Sequence, residues 1–307
     1  MTKTNLQAMD LKSEIIRLKT ARKAAILAHN YQIEDIQAIA DYVGDSLELS
    51  RLATTIESEI IVFCGVHFMA ESAAILNPQK KVLLPDLTAG CPMAEMITAE
   101  SLRQLKAKYP QAAVVCYVNS SAEVKAESDI CCTSSNAVKV VNSLPEKQII
   151  FVPDKHLGRY ASSFTDKEII LWEGFCPTHA RLSREAVLKM KAAHPQADFI
   201  AHPECSAEVL ALADYVCSTS GMFKYAHDTN VEEIIIGTEK GMLYRLGKNN
   251  PGKKFYLASE QLICPNMKKN NLEKVYNALA KDQYVVHVPE EIRQKAYQSI
   301  LRMLDVS

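Results

Sequence analysis

Three of the nine cysteines in this 307-residue chain are followed by proline: Cys91-Pro92, Cys176-Pro177 and Cys264-Pro265. They stand 85 and 88 residues apart. Each is expected at the end of a short apolar strand: Val82-Leu83-Leu84-Pro85, Ile169-Ile170-Leu171-Trp172 and Phe255-Tyr256-Leu257-Ala258. Thiolates bind zinc and iron–sulfur clusters. One thiolate from each third of the chain implies a single metal site shared by three similar units. Three thiolates leave one iron of a cubane open to substrate, which makes it a Lewis acid rather than only an electron carrier. Cys176-Pro177-Thr178-His179 keeps a C-x-x-H zinc pair as an alternative. Cys64, Cys116, Cys131, Cys132, Cys205 and Cys217 lack the pattern and read as core residues, with Cys205 approaching the site without being a ligand.

Polar residues recur at the same step. Ala28-His29-Asn30, Tyr117-Val118-Asn119 and His202-Pro203-Glu204 each close an apolar run. Ser46, Ser134 and Thr219 follow seventeen residues after His29, Tyr117 and His202, each five residues beyond an aspartate: Asp41, Asp129 and Asp214. Hydroxyls, an amide and imidazoles hold carboxylate or phosphate oxygens. Serine and threonine near helix starts add backbone N–H groups to such a site, or else cap the helices. Glu204, two positions from His202, and the hydroxyls of Tyr31 and Tyr117 are the proton-transfer candidates. His67, His156, His194, His227 and His287 read as solvated or satisfied histidines. There is no P-loop and no G-x-G-x-x-G, and Gly237-Thr238-Glu239-Lys240-Gly241 reads only as a short turn.

The elements that must position these groups repeat as well. The first unit reads helix (about 10–20), strand (24–28), helix (35–53), strand (60–64), helix (68–76) and strand (82–85). Short, fully apolar strands separated by helical patterns indicate parallel sheets buried on both faces. The helices Thr98–Pro110 and Ser183–Pro195 match at an 85-residue step, opening on an N-cap hydroxyl and stopping at proline. The expected fold class is therefore α/β: three homologous three-layer αβα units, 1–97, 98–182 and 183–307, in pseudo-threefold arrangement around a central active site. The third unit is expected to carry a tail with a helix near 271–280, a strand over Tyr284–Val288 and a helix after Pro289. Ligands gather at the carboxyl ends of strands in such sheets, where all the recurring polar residues stand. A net charge of −1 gives no basic field for nucleic acid. No segment is apolar enough for a signal peptide or a membrane span, so a cytoplasmic protein with reduced thiols is expected.

Taken together, the residues resemble the quinolinate synthase family, iron–sulfur enzymes of de novo NAD biosynthesis. The resemblance rests on His29-Asn30-Tyr31-Gln32, Gly44-Asp45-Ser46, Thr88-Ala89-Gly90-Cys91, Cys116-Tyr117-Val118-Asn119-Ser120, Cys132-Thr133-Ser134-Ser135-Asn136, Glu173-Gly174-Phe175-Cys176, His202-Pro203-Glu204-Cys205, Ser218-Thr219-Ser220-Gly221 and Cys264-Pro265-Asn266-Met267-Lys268. These span essentially the whole chain in order. The resemblance implies a 4Fe-4S cluster with one open iron, ligated by Cys91, Cys176 and Cys264. It implies condensation of iminoaspartate with dihydroxyacetone phosphate to quinolinate, phosphate and water. It also implies substrate contacts from His29, Ser46, Tyr117, Asn119, Ser134, His202, Glu204 and Thr219, with Tyr31 lining the pocket. Partners are expected to be these small molecules and the enzyme that supplies iminoaspartate. Some relatives carry a further Cys-x-x-Cys near the C-terminus; here Met267 stands three residues after Cys264. The competing readings are an aconitase-like hydro-lyase on another dicarboxylate and a non-catalytic cluster or zinc redox sensor.

Overall fold

The structure, a computed structural model, describes residues 3–306; Met1, Thr2 and Ser307 lie outside the described residues. Twelve strands form three sheets of four. The first holds β1 (Ala24–His29), β2 (Tyr42–Gly44), β3 (Ile60–Cys64) and β4 (Lys81–Leu83). The second holds β5 (Ala113–Tyr117), β6 (Ile130–Cys132), β7 (Gln148–Val152) and β8 (Glu168–Leu171). The third holds β9 (Asp198–Ala201), β10 (Tyr215–Val216), β11 (Glu233–Gly237) and β12 (Lys254–Leu257). Strand orders β2-β1-β3-β4, β6-β5-β7-β8 and β10-β9-β11-β12 are the same order three times, and every pairing is parallel. The central strands carry apolar side chains on both faces, such as Ile26 and Leu27, or Ile149 and Ile150, all fully buried. That is the pattern of a parallel sheet covered by helices on both sides.

The repeating aspartates explain the local geometry. Asp41, Asp129 and Asp214 each accept the backbone N–H of a central-strand residue: Ile26 at 2.8 Å, Val114 at 2.7 Å and Phe199 at 2.8 Å. Each therefore pins its edge strand in register and aims the next turn, with its Ser or Thr, at the carboxyl end of the sheet. A second triplet was not read from the sequence. Lys80, Lys167 and Lys253 each reach back to two carbonyls at the end of a preceding helix: Ala53 and Ile56, Val141 and Leu144, Thr229 and Val231. Cations are favoured there by the unsatisfied carbonyls and the helix dipole.

Several boundaries differ from expectation. The helix expected over 35–53 is two helices, Glu34–Ile39 and Ser46–Thr55, separated by β2. Ala40 leaves helical geometry, residues 42–44 pair with β1, and Asp45 restarts the helix through a reciprocal capping box with Glu48. The cysteines do not end strands: their sheets stop at Leu83, Leu171 and Leu257, and loops carry the chain on to each thiol. The expected tail strand Tyr284–Val288 is only a bridge, Leu83 against Val285. The linking helices stand as expected, Ala99–Lys108 capped by Thr98 and Arg184–Ala193 capped by Ser183.

The tail does not stay with the third sheet. Helix Leu272–Lys281 buries Leu272, Val275, Ala278 and Leu279 against the first sheet, beside Ile15 of the N-terminal helix. Helix Glu290–Val306 packs on β6 and its neighbours in the second unit. There Ser299 Oγ donates to the Lys125 carbonyl at 2.9 Å, and Arg302 donates to the Asp129 carbonyl at 2.7 Å. One apolar core runs through the first two units, whereas the two faces of the third sheet have clusters of their own. No helix among the described residues is long and apolar enough to cross a membrane.

Candidate active site

The carboxyl ends of the three sheets meet around one cavity of about 130 Å³. With the order 2-1-3-4, the strand order of each sheet reverses between its first and third strands, the position where open α/β sheets bind ligands. The cavity wall includes all twelve expected residues: Cys91, Cys176 and Cys264; Ser46, Ser134 and Thr219; His29, Tyr31, Tyr117, Asn119, His202 and Glu204.

The three cysteines share one local design. Each stands three residues before a turn of 3-10 helix: Ala94–Met96, His179–Arg181 and Met267–Lys269. Their carbonyls accept from Glu95, Ala180 and Lys268 at 3.2, 3.0 and 3.3 Å. Proline at the next position fixes φ for that turn without sacrificing a needed N–H. Backbone N–H groups of the turns then face the sulfurs. Burial nonetheless dominates: it pushes Cys91 up to about 12, raises Cys264 and raises Cys176 well above the ordinary thiol range. Cys264 lies close enough to Cys91 to raise the Cys91 thiol further, and Cys91 in turn adds to the rise at Cys176. Three half-buried sulfurs held together, with N–H groups aimed at them, fit a metal group that keeps thiolates ionised. Cys176, His179 and Glu204 also place one ligand atom each within 4.8 Å of one another. That second set is already satisfied by its own hydrogen bonds, so the sulfurs fit a metal better than the imidazole and carboxylate do.

His179 and Glu204 belong instead to a hydrogen-bonded chain crossing all three units. Tyr31 Oη lies 2.6 Å from Thr238 Oγ1, and Thr238 Oγ1 lies 2.8 Å from His179 Nε2. His179 Nδ1 lies 2.7 Å from Glu204 Oε2, and the Tyr117 hydroxyl donates to Glu204 Oε1 at 2.8 Å. Burial raises Glu204, but the His179 and His202 rings and the Tyr117 hydroxyl outweigh it and hold the carboxyl at about 2. Burial lifts both phenols well above the ordinary range, with the Glu204 charge adding to the effect. The chain therefore rests with an ionised carboxylate and two neutral phenols.

The other half of the cavity is built from neutral donors. Nδ1 of His29 accepts the Tyr31 N–H at 3.1 Å, and Nδ1 of His202 accepts the Glu204 N–H at 3.3 Å. The same two-residue step thus turns both Nε2–H groups outward; that of His202 meets Ser134 Oγ at 3.1 Å. Burial lowers both histidines to about 3, so they are neutral near pH 7. Ser46 and Thr219 open ten-residue helices, adding N-terminal backbone donors. Asn30, expected only as a neighbour of His29, donates to Thr219 at 3.2 Å. The Asn119 Oδ1 is buried with no hydrogen-bond partner among the described residues.

Sequence reasoning did not assign His179, Thr238, Thr178, Asp154 or Glu239 to the active site. Thr238 lies in the segment read as a plain turn. His179 was visible only as a zinc option beside Cys176. Glu239 is fully buried, accepts the Cys264 N–H at 3.1 Å and pairs with Lys268 at 2.9 Å. Asp154, 85 residues earlier, faces the Cys176 backbone from the matching position and caps the helix Lys155–Ser162. That 85-residue step was the available signal.

The chain matches the protein family described as "Quinolinate synthetase A protein" over residues 13–305. Similar curated proteins include a quinolinate synthase of Geobacter sp. (strain M21), 57% identical over 296 residues, covering 96% of this chain and 97% of the relative. A quinolinate synthase of Dehalococcoides mccartyi is 58% identical over 294 residues, covering 96% and 97%. One of Methanosarcina barkeri is 57% identical over 301 residues, covering 98% and 99%.

Proposed function

The chain belongs to the quinolinate synthetase A family, and from that membership we infer that it is an enzyme condensing iminoaspartate with dihydroxyacetone phosphate to quinolinate. Phosphate and two waters leave as the pyridine ring closes. We propose the cavity at the centre of the three sheets as the active site. The single observation that carries this is the convergence of three cysteine turns and a cross-unit proton chain on one enclosed space. Cys91, Cys176 and Cys264 would hold a 4Fe-4S cluster. When bound, it would supply Lewis acidity toward a substrate oxygen at the iron without a protein ligand.

The residues of the chain divide the remaining work. Ser46, Ser134 and Thr219, with the Nε2–H groups of His29 and His202, form a neutral donor surface for phosphate and carboxylate oxygens. The unpartnered Asn119 Oδ1 supports a contact beside that surface to a substrate hydroxyl or N–H, because a buried amide oxygen without a donor costs free energy until a ligand satisfies it. Glu204 is ionised and takes a proton, while Tyr117 bonded to it returns one. Tyr31 acts through a relay: as its oxygen takes a proton from substrate, its own passes to Thr238, that of Thr238 passes to His179 Nε2, and Glu204 stabilises the imidazolium. Condensation, tautomerisation and dehydration each require such exchange, with no net electron change. Iminoaspartate comes from a separate enzyme, and nine free cysteines favour a reducing cytoplasm. The test is anaerobic purification with iron and sulfide analysis, followed by a quinolinate assay. Turnover without iron, or iron without turnover on these substrates, would overturn the reading.

A further inference from the structure

The three cysteine turns can be compared position by position, and one position breaks the pattern. Five residues after each cysteine stand Met96, Arg181 and Lys269. Lys269 donates to the Thr88 carbonyl at 2.5 Å, in the loop leading to Cys91. The Met96 carbonyl accepts from Trp172 Nε1 at 3.0 Å, and its sulfur faces the Phe175 N–H at 3.4 Å, in the loop leading to Cys176. Two of the three rims between cysteine loops are thus stitched by this position. Arg181 should reach the loop leading to Cys264, yet its side chain has no hydrogen bond or ion pair among the described residues. It is exposed, and it is the only lysine or arginine among the described residues lining the cavity. The seam at this position is closed by His179 on Thr238, so Arg181, two residues after His179 and lining the same cavity, stands beside the proton chain.

We propose that Arg181 is the anion-capturing residue at the mouth of this cavity, binding the phosphate or a carboxylate of an incoming substrate. The proposal rests on the assigned reaction, whose substrates both carry negative charge. Inside, among the described residues, they meet the Glu204 and Asp45 carboxylates and neutral donors but no fixed cation. A cation at the rim supplies the attraction that the interior lacks, and raises the encounter rate in a salt-dependent way. A guanidinium fork matches both phosphate and carboxylate oxygens, and an arginine free of partners gives up no existing bond to make that contact.

The test uses cluster-loaded protein and the R181Q and R181K variants, after matching their iron content to the unsubstituted protein. Inorganic phosphate and benzene-1,2-dicarboxylate are titrated calorimetrically, and KM and kcat are measured for each substrate at low and high salt. R181Q is expected to weaken one probe by about 10- to 100-fold, as for loss of a charge-assisted contact. The matching substrate's KM should rise correspondingly, with a flatter salt dependence and the loss in KM rather than kcat; R181K should fall between. The weakened probe tells phosphate from carboxylate. Unchanged titrations and salt dependence in R181Q, loss confined to kcat, or no binding of either probe by the unsubstituted protein would overturn the proposal. If the unsubstituted protein makes no quinolinate, the functional reading fails while the titrations still decide the role of Arg181.

Discussion

Replacing Glu204 by glutamine separates binding from proton transfer at the centre of the cavity. The carboxylate now accepts two hydrogen bonds, from Tyr117 at 2.8 Å and from His179 at 2.7 Å. The amide oxygen can accept only one of them in place, and its NH2 group meets the other donor. A hydrogen bond to a charged group contributes about 1.5–3 kcal/mol net. If Glu204 only positioned substrate, that loss would appear as about 10- to 150-fold in affinity at roughly 1.4 kcal/mol per decade. A general acid–base role predicts a different split: about 10²- to 10⁴-fold lower kcat, with affinity for a dicarboxylate analogue nearly unchanged. The assay is initial-rate quinolinate formation by anaerobic, cluster-loaded protein, alongside calorimetric analogue binding and iron analysis. Normal turnover with normal iron would refute the reasoning and leave His202 and the tyrosines as the leading candidates.

Cys176→Ser should lose iron and sulfide, whereas Cys64→Ala, deep in β3, should keep both and cost about 1 kcal/mol from the small void; iron content and chemical denaturation check this. His29 and His202 titrate at about 3 when folded, against an ordinary value of 6.5. The unfolded chain therefore binds more protons between those limits, and cluster-free protein should lose stability as pH falls from 6.5 toward 3. Glu204 adds a second loss between its ordinary 4.5 and about 2. Denaturant midpoints at pH 7 and pH 5 should differ in the wild-type protein and differ less in His29→Gln. Gly241→Ala should strike the site from outside, because its Cβ would sit 2.7 Å from the Tyr31 backbone. We expect about 1–3 kcal/mol of destabilisation from the overpacking together with a fall in kcat as Tyr31 is displaced from Thr238. Full activity in that variant would detach Tyr31 from the relay.

What could be read from the sequence was whatever occurs three times. Cys91, Cys176 and Cys264, the aspartates behind the edge strands, and Ser46, Ser134 and Thr219 all recur because each sheet needs them for the same local reason. The proton chain was hidden for the opposite reason. His179 stands where the other turns have Ala94 and Met267, so it breaks the repeat, and Thr238 acquires its role only by meeting Tyr31 and His179 from two other units. The Asp154–Glu239 correspondence was obscured because the first unit has Val66 and His67 near that position. The split helix at 40–45 was missed because residues 35–53 are amphipathic enough to look continuous. Edge pairing with β1 and the Asp45 cap decide otherwise. The tail's return to the first two units depends on long-range packing that no local pattern encodes.

The helix Glu290–Val306 also bears on solubility. Each sheet has an edge at its second strand, and unpaired edges invite pairing with another chain. All three edges are short, and two of them, Tyr42–Gly44 and Tyr215–Val216, begin on exposed tyrosines. The third, Ile130–Cys132, is wholly apolar, and the tail helix keeps Ile130 at 2% exposure. A chain ending before Pro289 would present that strand, with two reduced cysteines, to its neighbours. It would be expected to precipitate or cross-link on standing in air before its three sheets had come apart, so C-terminal tags and truncations should be judged first by aggregation rather than by activity.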